Sequence, residues 1–176
     1  MISKRNTPFI ASKDILIGDP NALVKLMVFI DYESEQCAEA NEVLKKLFKN
    51  YEGKININFR HFPLMRIHQK ALKAAEAAIS ATQEGKFFEM HEILFKNRKH
   101  LGTISLSSYA KEIGMTNKSF LSEIIAGKYG LMVHDDLEYG VSLGVKAVPA
   151  IFVNGKKFEG NITEAELAGA IDKALK

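Results

Sequence analysis

The sequence predicts an α/β protein in which a βαβ unit and a ββα unit share one mixed sheet and enclose an all-helical insertion. Three observations support this fold class. Leu26 to Ile30 is a run of five apolar residues between polar ones, which is typical of a strand buried on both faces. Ala150 to Val153 is a second such run, and it lies between Pro149 and an Asn-Gly turn signal. Between the two runs, residues 67–143 show helical periods and no convincing strand.

The first half of the chain contains the βαβ unit. Asp14 to Ala22 predicts a brief strand followed by a turn. After the central strand, apolar positions from Cys37 to Tyr51 recur at steps of three and four, which predicts an amphipathic helix that ends before Gly53. Lys54 to Phe62 alternates between apolar and polar residues, and this predicts a second strand parallel to the first.

The insertion is predicted to consist of helices, most of which end at a glycine. The first helix is rich in alanine and stops at Gly85. The second runs from Lys86 to Asn97, and its inward residues are Phe87, Phe88, Met90, Leu94 and Phe95. Shorter helices are expected at residues 105–113, 117–126 and 131–143.

The last segment of the chain returns to α/β character. Asn154-Gly155 is a strong hairpin signal, and Lys156 to Glu159 is expected to pair back onto the preceding strand. Thr163 to Glu166 forms a capping box that begins a final helix. We therefore assign residues 1–66 and 144–176 to one sheet-containing domain, and residues 67–143 to a helical insertion that acts as a lid.

The composition is that of an ordinary globular protein and excludes several functions. The net charge of +3 is small and the lysines are scattered, so nucleic acid is not an expected partner. One thiol and scattered histidines lack the spacing of a metal site, and no cofactor is predicted. No stretch reaches transmembrane length, and Met1 to Ala11 lacks the apolar core of a signal peptide. We therefore expect either a cytoplasmic protein or one whose targeting segment lies outside this sequence.

The candidate site lies where the central strand meets the first helix. Ser34 is suited to cap that helix, because its hydroxyl can accept a hydrogen bond from the third helical N–H. Cys37 is the only cysteine, so it has no intramolecular disulfide partner and is by default a small buried apolar residue. A helix N-terminus lowers a thiol pKa, whereas burial and nearby carboxylates such as Asp31 and Glu33 raise it. The sequence leaves this balance open.

These features are similar to those of the thioredoxin fold, and the helical insertion resembles that of the DsbA-like thiol–disulfide oxidoreductases. Three segments carry the resemblance, which covers nearly the whole chain: Phe59 to Leu64, Lys86 to His91, and Gly144 to Pro149. The resemblance implies disulfide exchange with protein or peptide thiols, and a partner protein that recycles the redox site. It also implies a periplasmic or otherwise exported protein.

The resemblance assigns a redox pair to the candidate site. Members of the family carry two cysteines separated by two residues, and the corresponding segment here is Ser34-Glu35-Gln36-Cys37. Ser34 therefore takes the position of the attacking cysteine and Cys37 that of the resolving cysteine, with Glu35, Gln36 and His61 in supporting roles. A serine hydroxyl does not carry out disulfide exchange, so this chain is expected to be inactive as a dithiol.

The resemblance also assigns a substrate-binding loop at Val148 and Pro149. Pro149 is expected to be cis, which leaves the backbone of Val148 free to pair with an extended substrate as an added strand. The serine at position 34 is either an engineered replacement or native, and the intact remaining motifs favour replacement.

Two other functions are compatible with a serine at position 34. In glutathione transferases and isomerases of the kappa type, a serine at this position holds the thiolate of glutathione, although Glu35 stands where that group usually has proline. Alternatively, the loop at Val148 and the first helix bind extended peptides without chemistry. Calorimetry with glutathione and peptide-binding measurements distinguish these alternatives.

Overall fold

The computed structural model describes residues 10–176, which form one sheet surrounded by helices. Residues 1–9 lie outside the described part of the chain. They include most of the segment Met1 to Ala11, for which no signal peptide was predicted, and the start of the predicted sheet-containing domain. The strands are β1 (Leu16–Gly18), β2 (Val24–Ile30), β3 (Ile55–His61), β4 (Ala150–Val153) and β5 (Lys156–Lys157). The helices are α1 (Glu35–Asn50), α2 (Ala71–Thr82), α3 (Phe87–Lys96), α4 (Thr103–Glu112), α5 (Phe120–Ala126), α6 (Gly130–Ser142) and α7 (Glu164–Ala174).

The sheet is mixed and has the order β1-β3-β2-β4-β5, which confirms the predicted fold class. The central strand β2 runs parallel to β3, with Val28 opposite Phe59, and antiparallel to β4. Val28 and Phe29 are fully buried on opposite faces of β2, as the continuous apolar run predicts. Helix α1 connects the two parallel strands and packs against α7.

Strand β3 differs from the prediction on its polar face, because that face is also covered. Asn56 is buried and its amide donates to the carbonyl of Asp19 at 2.8 Å. Arg60 is buried as well, and its Nε donates to the Asp136 carboxylate of α6. The alternation therefore predicts the strand correctly, whereas the polar residues are satisfied inside the protein instead of in water.

Helices α2 to α6 all lie between β3 and β4 in the chain, where helices were predicted. The alanine-rich α2 is almost entirely buried and packs against α3, α4, α5 and α6. The boundaries of the proposed insertion at residues 67 and 143 remain a prediction.

One predicted core residue of α3 is wrong. Phe88 is 48% exposed, whereas Phe87, Met90, Leu94 and Phe95 are buried as expected. Phe87 packs near Phe59 with 6.1 Å between ring centroids, and the next residue of a helix is rotated by about 100° to a different face.

The C-terminal segment follows the prediction with one difference. Asn154 and Gly155 both have positive φ, 47° and 80°, as a two-residue hairpin turn of type I′ requires. Strand β5 covers only Lys156–Lys157 instead of extending to Glu159. Thr163 caps α7 by accepting from the N–H of Glu166.

Candidate active site

The predicted site residues gather at one edge of the sheet. Because β2 and β3 are parallel, their carboxyl ends lie side by side, with Ile30 opposite His61. Strand β4 is antiparallel to β2 and begins with Ala150 opposite Phe29. The turn at residues 31–34, the segment after β3 and the Val148–Pro149 peptide therefore share this edge.

Ser34 is the N-cap of α1, as predicted. Its Oγ accepts a hydrogen bond from the N–H of Cys37 at 3.2 Å and donates to Gln36 Oε1 at 3.2 Å. The residue is only 4% exposed. No histidine among residues 10–176 bonds to this hydroxyl, and a serine nucleophile requires such a base. The hydroxyl is therefore arranged as a cap and not as an activated nucleophile.

Cys37 is fully buried in the first turn of α1. Its Sγ accepts a hydrogen bond from the N–H of Asp31 at 3.4 Å. Burial, with a smaller contribution from the negative charge of Asp31, raises the pKa of the thiol to about 11. The hydrogen bonds from Ser34 and from the Asp31 amide oppose this increase without reversing it. Burial therefore outweighs the helix N-terminus, and the thiol is protonated at neutral pH.

Asp31 is the polar centre of the turn, and it is almost completely buried. Its Oδ1 accepts from the N–H of Glu33 at 2.8 Å. Its Oδ2 accepts from the N–H of Leu64 and from Nδ1 of His68, both at 2.8 Å. From the sequence, Asp31 could be identified only as a carboxylate close to the thiol. Its contacts with Leu64 and His68 could not be predicted, because they join residues more than thirty positions apart.

The two residues between positions 34 and 37 face solvent. Glu35 and Gln36 are exposed, and Glu35 forms an ion pair with Arg98 at 2.7 Å.

His61 is buried in a polar cluster with Asp136 of α6. Asp136 Oδ2 lies 3.1 Å from His61 Nδ1 and accepts from its backbone N–H at 2.9 Å. Burial alone raises the pKa of Asp136, but the bonds and charge of His61 and the charge of Arg60 lower it overall. His61 Nε2 has no hydrogen-bond partner among the described residues. The structure does not bring His61 into hydrogen-bonding contact with Ser34 or Cys37.

A second buried network begins at Tyr32 and was not predicted from the sequence. Tyr32 Oη lies 2.9 Å from His91 Nδ1, and His91 Nε2 lies 2.9 Å from Asn41 Oδ1. The Asn41 amide donates to Glu92 at 2.8 Å, and Glu92 accepts from Lys45 at 2.6 Å. Burial lowers the pKa of His91 to about 3, so its ring is neutral. The chain of bonds thus runs from the turn through α3 and α1 to the surface.

The loop before β4 contains the Val148–Pro149 peptide bond, which is cis. Val148 is partly buried and packs against both the core around Cys37 and a smaller apolar cluster around Phe29. Pro149 lines an open cavity of about 280 Å³ together with Lys146 and Phe158.

Residues 10–176 contain no cluster of three or more His, Cys, Asp or Glu side chains that is arranged to bind a metal ion. Within the same residues, no helix has the length and apolar character needed to cross a membrane.

A family model described as "Thioredoxin" matches residues 11–173. The structure is similar to that of BdbD from Bacillus subtilis, with a TM-score of 0.83 and 22% identity over 91% of both chains. It is also similar to the thiol-disulfide exchange protein α-DsbA2 from Wolbachia pipientis, with a TM-score of 0.77 and 24% identity over 90% of this chain and 85% of that chain. A periplasmic thioredoxin-like protein from Salmonella enterica serovar Typhimurium gives a TM-score of 0.78 and 20% identity over 91% and 88%.

These structural likenesses confirm the expected DsbA-like fold. Among curated proteins, the chain is 31% identical over 167 residues to the Na(+)/H(+) antiporter NhaA 1 of Mycobacterium sp. (strain KMS). The alignment covers 94% of this chain and 27% of that protein. The chain therefore spans about a quarter of the length of the curated relatives it matches.

Proposed function

The chain belongs to the thioredoxin family, and on this basis we propose that it is a DsbA-like thiol–disulfide oxidoreductase of protein substrates whose attacking cysteine is replaced by Ser34. The observation that carries the proposal is the position of Ser34 and Cys37. They occupy the cap and the first turn of the helix that follows the central strand, with a cis-proline loop at the same edge of the sheet. Proteins with the same fold include one described as a thiol-disulfide exchange protein.

The two positions have environments suited to different roles. A thiol at position 34 would lie at the N-terminus of α1, where helical N–H groups and the helix dipole stabilise a thiolate. Cys37 is buried, and its thiol has a pKa of about 11, which suits a resolving thiol that stays protonated until a mixed disulfide forms. Glu35 and Gln36 face the incoming substrate.

The reaction requires a cysteine at position 34. Its thiolate attacks one sulfur of a substrate disulfide, forms a mixed disulfide and releases the other substrate sulfur as a thiolate. Cys37 then loses its proton and attacks the sulfur at position 34, which releases the second substrate thiolate and leaves the pair oxidised. The same steps in reverse oxidise a substrate dithiol. With serine at position 34 neither direction is available, so the chain is inactive as a dithiol.

The substrate is proposed to bind as an extended segment beside the cis-proline. The backbone of Val148 would pair with it as an added strand, which gives affinity without strong sequence preference. We further propose a partner protein that recycles the redox pair, and an exported location like that of the periplasmic protein of the same fold. The roles of His61, Glu35 and Gln36 are supporting ones.

Restoring the missing thiol tests the function. The Ser34→Cys variant should reduce a disulfide-bonded protein substrate, or oxidise a reduced one, in a glutathione buffer. The matched control combines Ser34→Cys with Cys37→Ala, and it should form stable mixed disulfides without completing the reaction, because the resolving thiol is absent. A folded Ser34→Cys variant without turnover in either direction contradicts the proposal.

A non-catalytic peptide-binding module is the second candidate, favoured by the engagement of the Ser34 hydroxyl as a cap. It predicts that peptide affinity is unchanged by Cys37→Ala and that Ser34→Cys gains no activity. Use of Ser34 to bind the thiolate of glutathione, as in the kappa-type enzymes, requires a hydroxyl free to donate. Here the hydroxyl donates to Gln36 and is nearly buried.

A further inference from the structure

Hydrogen bonds connect the turn at residues 31–34 to the segment at residues 62–70, and side chains from both segments take part in them. Asp31 Oδ2 accepts from the N–H of Leu64 and from Nδ1 of His68, at 2.8 Å each. A carboxylate only accepts hydrogen bonds, so His68 Nδ1 carries the proton. Glu33 forms a second tie, because its carboxylate accepts from the N–H of Lys70 at 2.7 Å.

The backbone of the second segment brings His68 to the turn. The N–H groups of Ile67 and His68 both donate to the carbonyl of Leu64, at 2.9 and 2.8 Å. This turn brings His68 back towards Leu64, so both donors reach the same carboxylate oxygen. The His68 side chain is 25% exposed, whereas the Asp31 side chain is fully buried. Among residues 10–176, His68 is thus the one side chain that donates a hydrogen bond to the Asp31 carboxylate.

Asp31 in turn contacts both positions of the proposed redox pair. Its N–H donates to Cys37 Sγ at 3.4 Å, and its carbonyl accepts from the N–H of Ser34 at 3.2 Å. A change in the orientation of Asp31 would therefore move a backbone N–H that is bonded to the thiol. Among the described residues, the titratable side chains that form a hydrogen bond with Asp31 are those of His68, from the segment after β3, and Cys37, from α1.

We propose that His68 is a positioning residue of the candidate site, which acts through Asp31 to keep the turn closed over Cys37. The proposal deepens the proposed function, because it names a residue that controls access to the thiol at position 37. The hydrogen bond of His68 to a carboxylate is of the charge-assisted kind, and its loss weakens the tie between the two segments. When the His68 bond is lost, the hydrogen bond from the N–H of Lys70 to the Glu33 carboxylate remains, and it limits the opening to the Asp31 end of the turn.

The test uses the chain with serine at position 34, in which Cys37 is the only thiol. The rate of alkylation of Cys37 by iodoacetamide reports opening of the turn, since the thiol is fully buried when the turn is closed. His68→Ala removes the donor, and His68→Gln retains an N–H donor. His134→Ala is the matched control, because this exposed histidine pairs with Glu138 on α6.

His68→Ala is expected to raise the alkylation rate about tenfold, which is the scale of one lost charge-assisted hydrogen bond. His68→Gln should stay within about twofold of the unmodified chain, and the control should not differ from it. Urea unfolding is measured on each variant. The rate increase of His68→Ala should exceed the increase that its loss of global stability would produce.

Three results overturn the proposal. They are an unchanged rate in His68→Ala, failure of His68→Gln to restore protection, and a rate that only follows global stability. If His68→Ala does not fold, His68→Leu fills the same volume without a donor, and unfolding of both shows a purely structural role. Every measurement here uses the chain with Ser34 and none uses Ser34→Cys. The outcome of this test therefore does not depend on the outcome of the Ser34→Cys turnover assay.

Discussion

The protonation of His91 provides a quantitative prediction about the network that supports the turn. His91 is completely buried, accepts from the Tyr32 hydroxyl and donates to Asn41. Burial, with smaller electrostatic contributions from His61 and Lys45, lowers its pKa from 6.5 to about 3. Protonation would also convert Nδ1 from an acceptor into a donor facing the Tyr32 hydroxyl, so the network favours the neutral ring.

The sign and size of the effect follow from proton linkage. In the unfolded chain His91 takes up a proton near its ordinary pKa of about 6.5, whereas the folded chain keeps it neutral down to about pH 3. The unfolded state therefore binds more protons in this window, and the free energy of unfolding falls as the pH is lowered through it. The expected slope is about 1.4 kcal/mol per pH unit, and the whole window corresponds to at most about 5 kcal/mol.

Urea unfolding followed by far-ultraviolet circular dichroism measures this slope, since the chain has no tryptophan to report by fluorescence. His91→Gln should be less stable at neutral pH and should lose the slope between about pH 6.5 and pH 4.5, above the range of the carboxylates. His134→Gln, which changes an exposed histidine, should retain the slope of the native chain. If the native chain and His91→Gln show the same slope, the assignment of a neutral buried imidazole is wrong.

Two further predictions concern charge and packing. Asp31→Asn should lower the pKa of Cys37 below about 11, because burial remains but the negative charge that disfavours the thiolate is removed. The absorbance of the thiolate as a function of pH, with Cys37→Ala as the baseline, measures this pKa. A pKa that is unchanged or higher in Asp31→Asn contradicts the prediction. Gly140→Ala should cost about 1–3 kcal/mol of unfolding free energy, because the added Cβ would lie 2.7 Å from the Phe62 ring. Gly169→Ala, with no atom within 4 Å of the added Cβ, should instead gain about 0.5–1 kcal/mol in urea unfolding. Equal effects of the two glycine replacements would refute the packing argument.

The sequence is most informative where a property depends on neighbours along the chain. The apolar run of β2, the Asn154-Gly155 hairpin and the cap at Ser34 are all local patterns, and the structure agrees with each. The length of β5 and the exposure of Phe88 differ, because pairing partners and the rotation of a helix on its neighbours decide them.

The candidate site shows the limit of local patterns. Asp31 and His68 are 37 positions apart, and they meet because β2 and β3 are parallel and end at the same edge of the sheet. The contacts of His91 with Tyr32 and Asn41 likewise depend on how α3 packs on α1. The open question of the Cys37 pKa is also answered only by burial, which the spacing of residues does not quantify.

The central claim is that positions 34 and 37 form a redox pair from which one sulfur is missing. The most direct measurement is the thiol content of a folded Ser34→Cys variant equilibrated with oxidised and reduced glutathione. The account predicts one intramolecular disulfide between positions 34 and 37, seen by mass spectrometry as the loss of two hydrogens and reversed by a dithiol reductant. A folded variant that keeps two free thiols, or that forms only glutathione adducts, under oxidising conditions would contradict it.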